Sequence, residues 1–206
     1  MKRSTLAAWT RTLALVALMA FATTGCGETP VTGPLTSGTS GSNAPAAGAP
    51  RLVLEPTGGT ATFETAPVMN ADGTPVLDAG SASRALTSSA DIDGAVGGAL
   101  RCGRFVLKVP PGAFEGKGTV TMKVPDSEIA FVDLSISGVP NQFKTGVALS
   151  YDPTGLNLTD PLTIYWYDTT GQDWVDLHAR TNLLPTGYPT VLLSHFSPYG
   201  GGKAGW

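Results

Sequence analysis

Residues 103–114 read GRFVLKVPPGAF. Phe105, Leu107 and Val109 fall on one side of an extended chain, Val106 and Lys108 on the other, and Pro110-Pro111-Gly112 ends the run. A period of two is that of a strand with one face in the core. The two prolines lack an N–H and stop a ladder, and Gly112 permits a turn that other residues resist. The rhythm continues downstream. GTVTMKV (118–124) aligns Val120, Met122 and Val124, and VDLSIS (132–137) aligns Val132, Leu134 and Ile136. GVALSY (146–151) gives Val147, Leu149 and Tyr151, and PLTIYWY (161–167) gives Leu162, Ile164 and Trp166 against Tyr165 and Tyr167. DWVDLHA (173–179) and TVLLSHF (190–196) complete the set. No long stretch carries a helical period. Short strands punctuated by Gly and Pro predict an all-β fold, a mainly antiparallel β-sandwich.

Upstream, RLVLE (51–55) and TATFE (60–64) are brief strand candidates, and PVMNADGTPVL (67–77) sets Asp72-Gly73 between two extended runs, a hairpin signal. A calcium loop at NADGT would need further acidic ligands. Residues 79–90, AGSASRALTSSA, read as a loop. The sandwich module is expected over 92–200, preceded by 51–91 of unassigned role and followed by a short tail at 201–206.

The first 25 residues have another character. Lys2, Arg3 and Arg11 precede an apolar run of ten, Leu13 to Ala22. A membrane span needs about 20 residues, so a basic start with a short apolar run reads as a secretory signal peptide over 1–25. Thr23-Thr24-Gly25-Cys26 resembles a lipoprotein lipobox, with Thr23 where Leu is usual. That resemblance implies diacylation of Cys26, and attachment to a membrane through its lipid. Gly27, rather than Asp, then favours the outer membrane or cell surface. Residues 26–50, almost all Gly, Ser, Thr, Pro and Ala after the cysteine, predict a flexible linker with a reach of roughly 25–30 Å. Removing the three leader cations from 13 Lys+Arg leaves 10 against 16 Asp+Glu, a net charge of −6. That balance argues against nucleic acid as a partner. The second cysteine, Cys102, lies in an apolar strand context and reads as a buried thiol, with a Cys26–Cys102 disulfide as the alternative.

The order of phrases from GGALRCGRFVLKVPPGAF (97–114) through TVTMKV (119–124), GVALSYDPTGLNLTDPLTIYWYD (146–168) and HFSPY (195–199) resembles the ZU-five domain of cell-surface and scaffolding proteins, in its bacterial lipoprotein form. The likeness implies a β-sandwich used structurally, without metabolic catalysis. It also brings one chemistry. Certain domains of this type cleave their own chain between Phe and Ser of an HFS tripeptide, which maps to His195, Phe196 and Ser197. The Ser197 hydroxyl would add to the Phe196 carbonyl, His195 would move protons, and water would open the ester. On an extended strand residues 195 and 197 stand about 7 Å apart, whereas general-base action needs about 3 Å. The chain would have to bend. Pro198 and the glycine-rich residues after it favour a plain strand end.

Other chemistries find less support. There is no GxSxG elbow for a Ser–His hydrolase, and His178 and His195 are the only histidines, with Asp173 and Asp176 as candidate partners. No metal-ligand spacing occurs, apart from Asp168 and Asp173 in DTTGQD as a weak calcium option that turn chemistry also explains. No cofactor is implied. Tyr165, Tyr167 and Trp174 offer a candidate exposed aromatic surface for a glycan or protein partner, with Trp166 on the core side. The expected function is therefore that of a lipid-anchored, non-catalytic structural or interaction module. Self-cleavage at Phe196–Ser197 and carbohydrate binding are the alternatives.

Overall fold

A computed structural model of the protein describes residues 51–54 and 62–205. The leader, Cys26 and the linker lie outside these residues. Among the described residues there are twelve strands, all paired antiparallel, in two sheets. The smaller sheet runs β11 (Thr190–Leu193), β8 (Val147–Tyr151), β5 (Phe105–Val109), β4 (Gly98–Cys102). The larger runs β10 (Asp173–Asp176), β9 (Leu162–Asp168), β12 (Pro198–Lys203), β7 (Phe131–Ser137), β6 (Lys117–Val124), β3 (Leu86–Asp93). β1 (Arg51–Leu54) pairs with β12 at Leu52↔Gly202, beyond the end of β7, and carries β2 (Thr62–Thr65) on its far side.

The β-sandwich expected from alternation is what forms. Phe105, Leu107, Val109, Val120, Met122, Val124, Val132, Leu134, Val147, Leu149, Tyr151 and Ile164 are all buried in one core. Full burial of such side chains contributes roughly 1.5–3 kcal/mol each, the main drive for the two sheets to stack. Cys102 is buried and free, and burial pushes its thiol pKa up.

Two expectations need correction. Residues 79–90 are not simply a loop: a 3₁₀ turn at Ser81–Arg84 leads into β3, which pairs with β6 along its whole length, from Leu86↔Val124 to Asp93↔Lys117. As an edge strand β3 needs few apolar side chains, so its sequence LTSSADID has little alternation to read. Nor are residues from 201 onward simply a tail. β12 lies inside the larger sheet, with β9 along one side and β7 then β1 along the other. Pro198 takes the first position of the strand, where its missing N–H is tolerated. Gly201 leaves room for a neighbour, because a Cβ there would lie 2.9 Å from that of Ala130.

The hairpin at 67–77 forms as expected, closed by Asn70 N–H to the Thr74 carbonyl at 2.8 Å and by Val76 N–H to the Val68 carbonyl at 2.7 Å. Its Gly73, at φ 80°, packs against Thr169, Pro198 and Tyr167 on the outer face of the larger sheet. Downstream of the hairpin, Arg84 grips Asp126 in the β6–β7 loop through two bonds, Nε–Oδ1 at 2.8 Å and Nη2–Oδ2 at 2.6 Å. Ser81 Oγ donates to Asp126 as well, at 2.8 Å. The Arg84 bonds hold the Asp126 carboxyl down at about 2, helped by the Glu128 N–H and Ser81 and opposed by burial. A carboxylate depressed on folding stabilises fully above its ordinary value near 4, and that contribution disappears as pH falls through about 2. Its size is about 1–2 kcal/mol, reduced from the full linkage value because Arg84 is partly in solvent. Asp133, which burial pushes up, works in the opposite direction. Urea unfolding from pH 7 to pH 2 is expected to show a shallower acid loss for Asp126→Asn than for the wild type, from a lower starting stability. Equal slopes would remove Asp126 from the account.

Candidate functional site: the corner at His195–Ser197

β11 belongs to the smaller sheet and β12 to the larger, so residues 194–197 are the corner where the chain changes sheets. A corner interrupts both ladders, and its backbone polar groups need other partners. They have them. The Ser194 carbonyl accepts from Phe143 N–H at 2.8 Å and the Ser197 carbonyl from Leu134 N–H at 3.2 Å. The Tyr199 hydroxyl donates to the His195 carbonyl at 2.7 Å. Tyr199 is itself buried, and that pushes its phenol pKa far up, so it stays a donor.

Phe196 is held twice by one side chain. Asn141 Oδ1 accepts from the Phe196 N–H at 2.7 Å, and Asn141 Nδ2 donates to the Phe196 carbonyl at 2.9 Å. The amide thus stands in for a neighbouring strand, and the two backbone partners fix which way round it lies. The Phe196 ring is buried and meets Phe143 edge-on, with centroids 4.6 Å apart, and Phe143 meets Phe114 of the VPPGAF turn at 6.2 Å.

The would-be reacting groups are not assembled. Ser197 Oγ accepts from the Trp166 indole N–H at 2.9 Å. The His195 Nδ1 lies 3.3 Å from Ser194 Oγ, and its ring stands edge-on to Trp166 at 5.4 Å. His195 and Ser197 therefore flank Trp166 separately, and no His–Ser hydrogen bond forms between them. The candidate scissile carbonyl does carry one polarising donor, Asn141. Comparison with protein families, curated proteins and solved structures finds no match to this chain.

Trp166 shares the core side of β9 with Ile164, as alternation predicts, and pairs with Tyr199 across the strands. The exposed aromatic surface needs correction. Tyr165 and Tyr167 are only 2% and 5% exposed, because the outer face of the larger sheet is itself covered. Tyr165 donates to the Lys203 carbonyl at 2.7 Å. Trp174 is half-buried against Tyr167 and Phe131, at centroid distances of 5.2 and 6.3 Å.

Of the remaining candidates, Asp168 and Asp173 lie directly opposite each other across β9 and β10. Asp168 and Asp173 cap the β9–β10 turn through the N–H groups of Thr170 and Trp174. His178 Nδ1 lies 3.4 Å from Asp176 Oδ2, at the end of the sandwich away from His195. Among the described residues no three His, Cys, Asp or Glu side chains converge on a metal-sized site, and no helix is long and apolar enough to cross a membrane. Asn141, the residue that organises the corner, carries no signal in the sequence: it sits in a turn, 55 residues from its partner.

Proposed function

We propose that the protein is a secreted bacterial lipoprotein whose β-sandwich serves as a non-catalytic structural or interaction module, held at the outer membrane or cell surface by lipid on Cys26. The observation that carries the non-catalytic part is the occupation of Ser197 Oγ by the Trp166 indole while His195 turns to Ser194. The corner is built as a sheet-to-sheet connection whose backbone carbonyls each have a donor, which is the work of a structural joint. The anchored part rests on the leader pattern and the lipobox-like Thr23–Cys26.

One observation favours a second reading, a single self-cleavage at Phe196–Ser197. Asn141 donates to the carbonyl oxygen that would become negative when Ser197 Oγ adds to the Phe196 carbon. In that reaction the amide nitrogen leaves with a proton as the new amine of Ser197, and water hydrolyses the ester. The strand after the break would stay paired with β9 and β7, so only a denaturing measurement separates the cases.

One preparation tests both. The protein is expected in the detergent phase, and Cys26→Ser in the aqueous phase; unchanged partitioning would defeat the anchor. The denatured mass is expected to retain Ser197–Trp206. Loss of these ten residues in the wild type and their retention in Ser197→Ala would establish the self-cleaving reading instead.

A further inference from the structure

The strand registers give the sandwich two unlike ends. The chain joins β1 at Arg51, and β1 runs antiparallel to β12, so Arg51 lies at the end where β12 finishes and β9 begins. The opposite end collects the VPPGAF turn between β5 and β6, the β7–β8 loop at 138–146, and the corner at 194–197. Between the first two of these loops is a cavity of about 370 Å³, lined by Phe114, Glu115, Pro140, Gln142, Phe143 and Lys144. Its volume falls within the range of small-ligand sites, roughly 300–1,000 Å³.

We infer that this cavity is a binding site for a neutral saccharide of one or two rings. The inference rests on the reading of the chain as a non-catalytic interaction module. The floor is apolar and fixed: Phe114 and Phe143 are buried, and Phe143 is locked against Phe196, which Asn141 holds. Pro140 adds an apolar wall. Such a surface suits the C–H face of a sugar ring. The rim supplies the polar half. Glu115 and Lys144 form an ion pair there, so the rim has both an anionic acceptor and a cationic donor and no net charge. The exposed amide of Gln142 offers one of each. Hydroxyl groups, which donate and accept at once, match that mixture, whereas the neutral Glu115–Lys144 pair offers an ionic ligand no excess of opposite charge.

A peptide fits less well. Peptide capture by strand addition draws on free backbone groups at a sheet edge. Here the loop backbone is already used, with Lys144 N–H on the Ala113 carbonyl and Phe143 N–H on the Ser194 carbonyl, both at 2.8 Å. The cavity lies at the end of the sandwich away from Arg51.

The test is an array of neutral and acidic oligosaccharides probed with the full chain. At least one neutral glycan is expected to be retained. Its affinity is expected to fall about tenfold or more in Gln142→Ala and in Glu115→Gln, as for a lost hydrogen bond to an amide or charged group. Thr87→Ala, on the exposed edge strand β3, is expected to bind as wild type. The Glu115 side chain is 85% exposed, so its variant should melt with the wild type and its loss of binding can be read directly. Retention of no glycan, retention of acidic glycans only, or binding indifferent to both cavity variants would overturn the assignment. Membrane partitioning of the same variants stays as wild type, which separates failure here from failure of the anchor.

Discussion

A chain ending at Ser197 is expected to remain unfolded, whereas one ending at Lys203 is expected to fold. The first lacks all of β12. Removing it leaves β9 and β10 without a connection to β7, and leaves β1 and β2 with nothing to pair with in the larger sheet. It also removes Tyr199, whose ring is 1% exposed in the core; deleting a buried aromatic side chain alone typically costs about 3–5 kcal/mol. Total stabilities of domains are about 5–15 kcal/mol, so the strand and its anchor together exceed what a domain of ordinary stability can lose. The longer chain keeps every paired residue of β12 and gives up only the residues after Lys203, with one bond from Ala204 N–H to the Pro161 carbonyl at 2.8 Å. Far-ultraviolet circular dichroism with thermal melting decides the matter. A cooperative transition in the chain ending at Ser197 would show that β12 is dispensable.

The second large effect is expected at Gly97. It sits at φ 77° between β4 and the end of β3, and an added Cβ would lie 2.4 Å from the Val109 carbonyl oxygen and 2.9 Å from the Pro110 carbonyl carbon. Both neighbours are backbone, so neither can swing aside. Gly97→Ala combines left-handed strain of about 1–2 kcal/mol with displacement of the VPPGAF turn that supports Phe114, and a loss above about 3 kcal/mol is expected. Gly112, at φ 83° in the same turn, is the control: nothing lies within 4 Å of its added Cβ, so Gly112→Ala should cost only the strain. Denaturant midpoints for the pair would show whether space or backbone angle governs. Equal losses would mean that the close approach at Gly97 relaxes without cost.

These glycines also mark the limit of what residue order alone reveals. Strands with one apolar face, such as β5, β6 and β8, announce themselves by alternation, because burial on one side writes a period of two into the residues. β12 does not. In PYGGGK only Tyr199 contributes a large core side chain; along the glycines the packing is supplied by neighbours, with Ala130 filling the space over Gly201, so no alternation is written there. β9 misleads in the other direction. Its alternation correctly places Ile164 and Trp166 on the core side, but period two distinguishes two faces without saying that the second is wet. Tyr165 and Tyr167 are buried on that second face, where Gly73 of the hairpin reaches Tyr167. At the corner, residue type and Pro198 mark His195 and Ser197 as a strand end. The partners that decide their chemistry, Trp166 and Asn141, approach from other strands and loops, and no local spacing encodes such an approach.

The place of β12 in the chain also sets a schedule. A polypeptide is made, and if exported is threaded across a membrane, from its first residue onward. The strand that unites the larger sheet emerges after the other described strands of the sandwich. Until it arrives, β9 and β7 have no common partner, and the sandwich cannot close around a core that is already almost complete in sequence. Folding of the sandwich is thereby deferred until β12 has emerged, so a chain interrupted before it stays open to proteases instead of persisting as a partial domain.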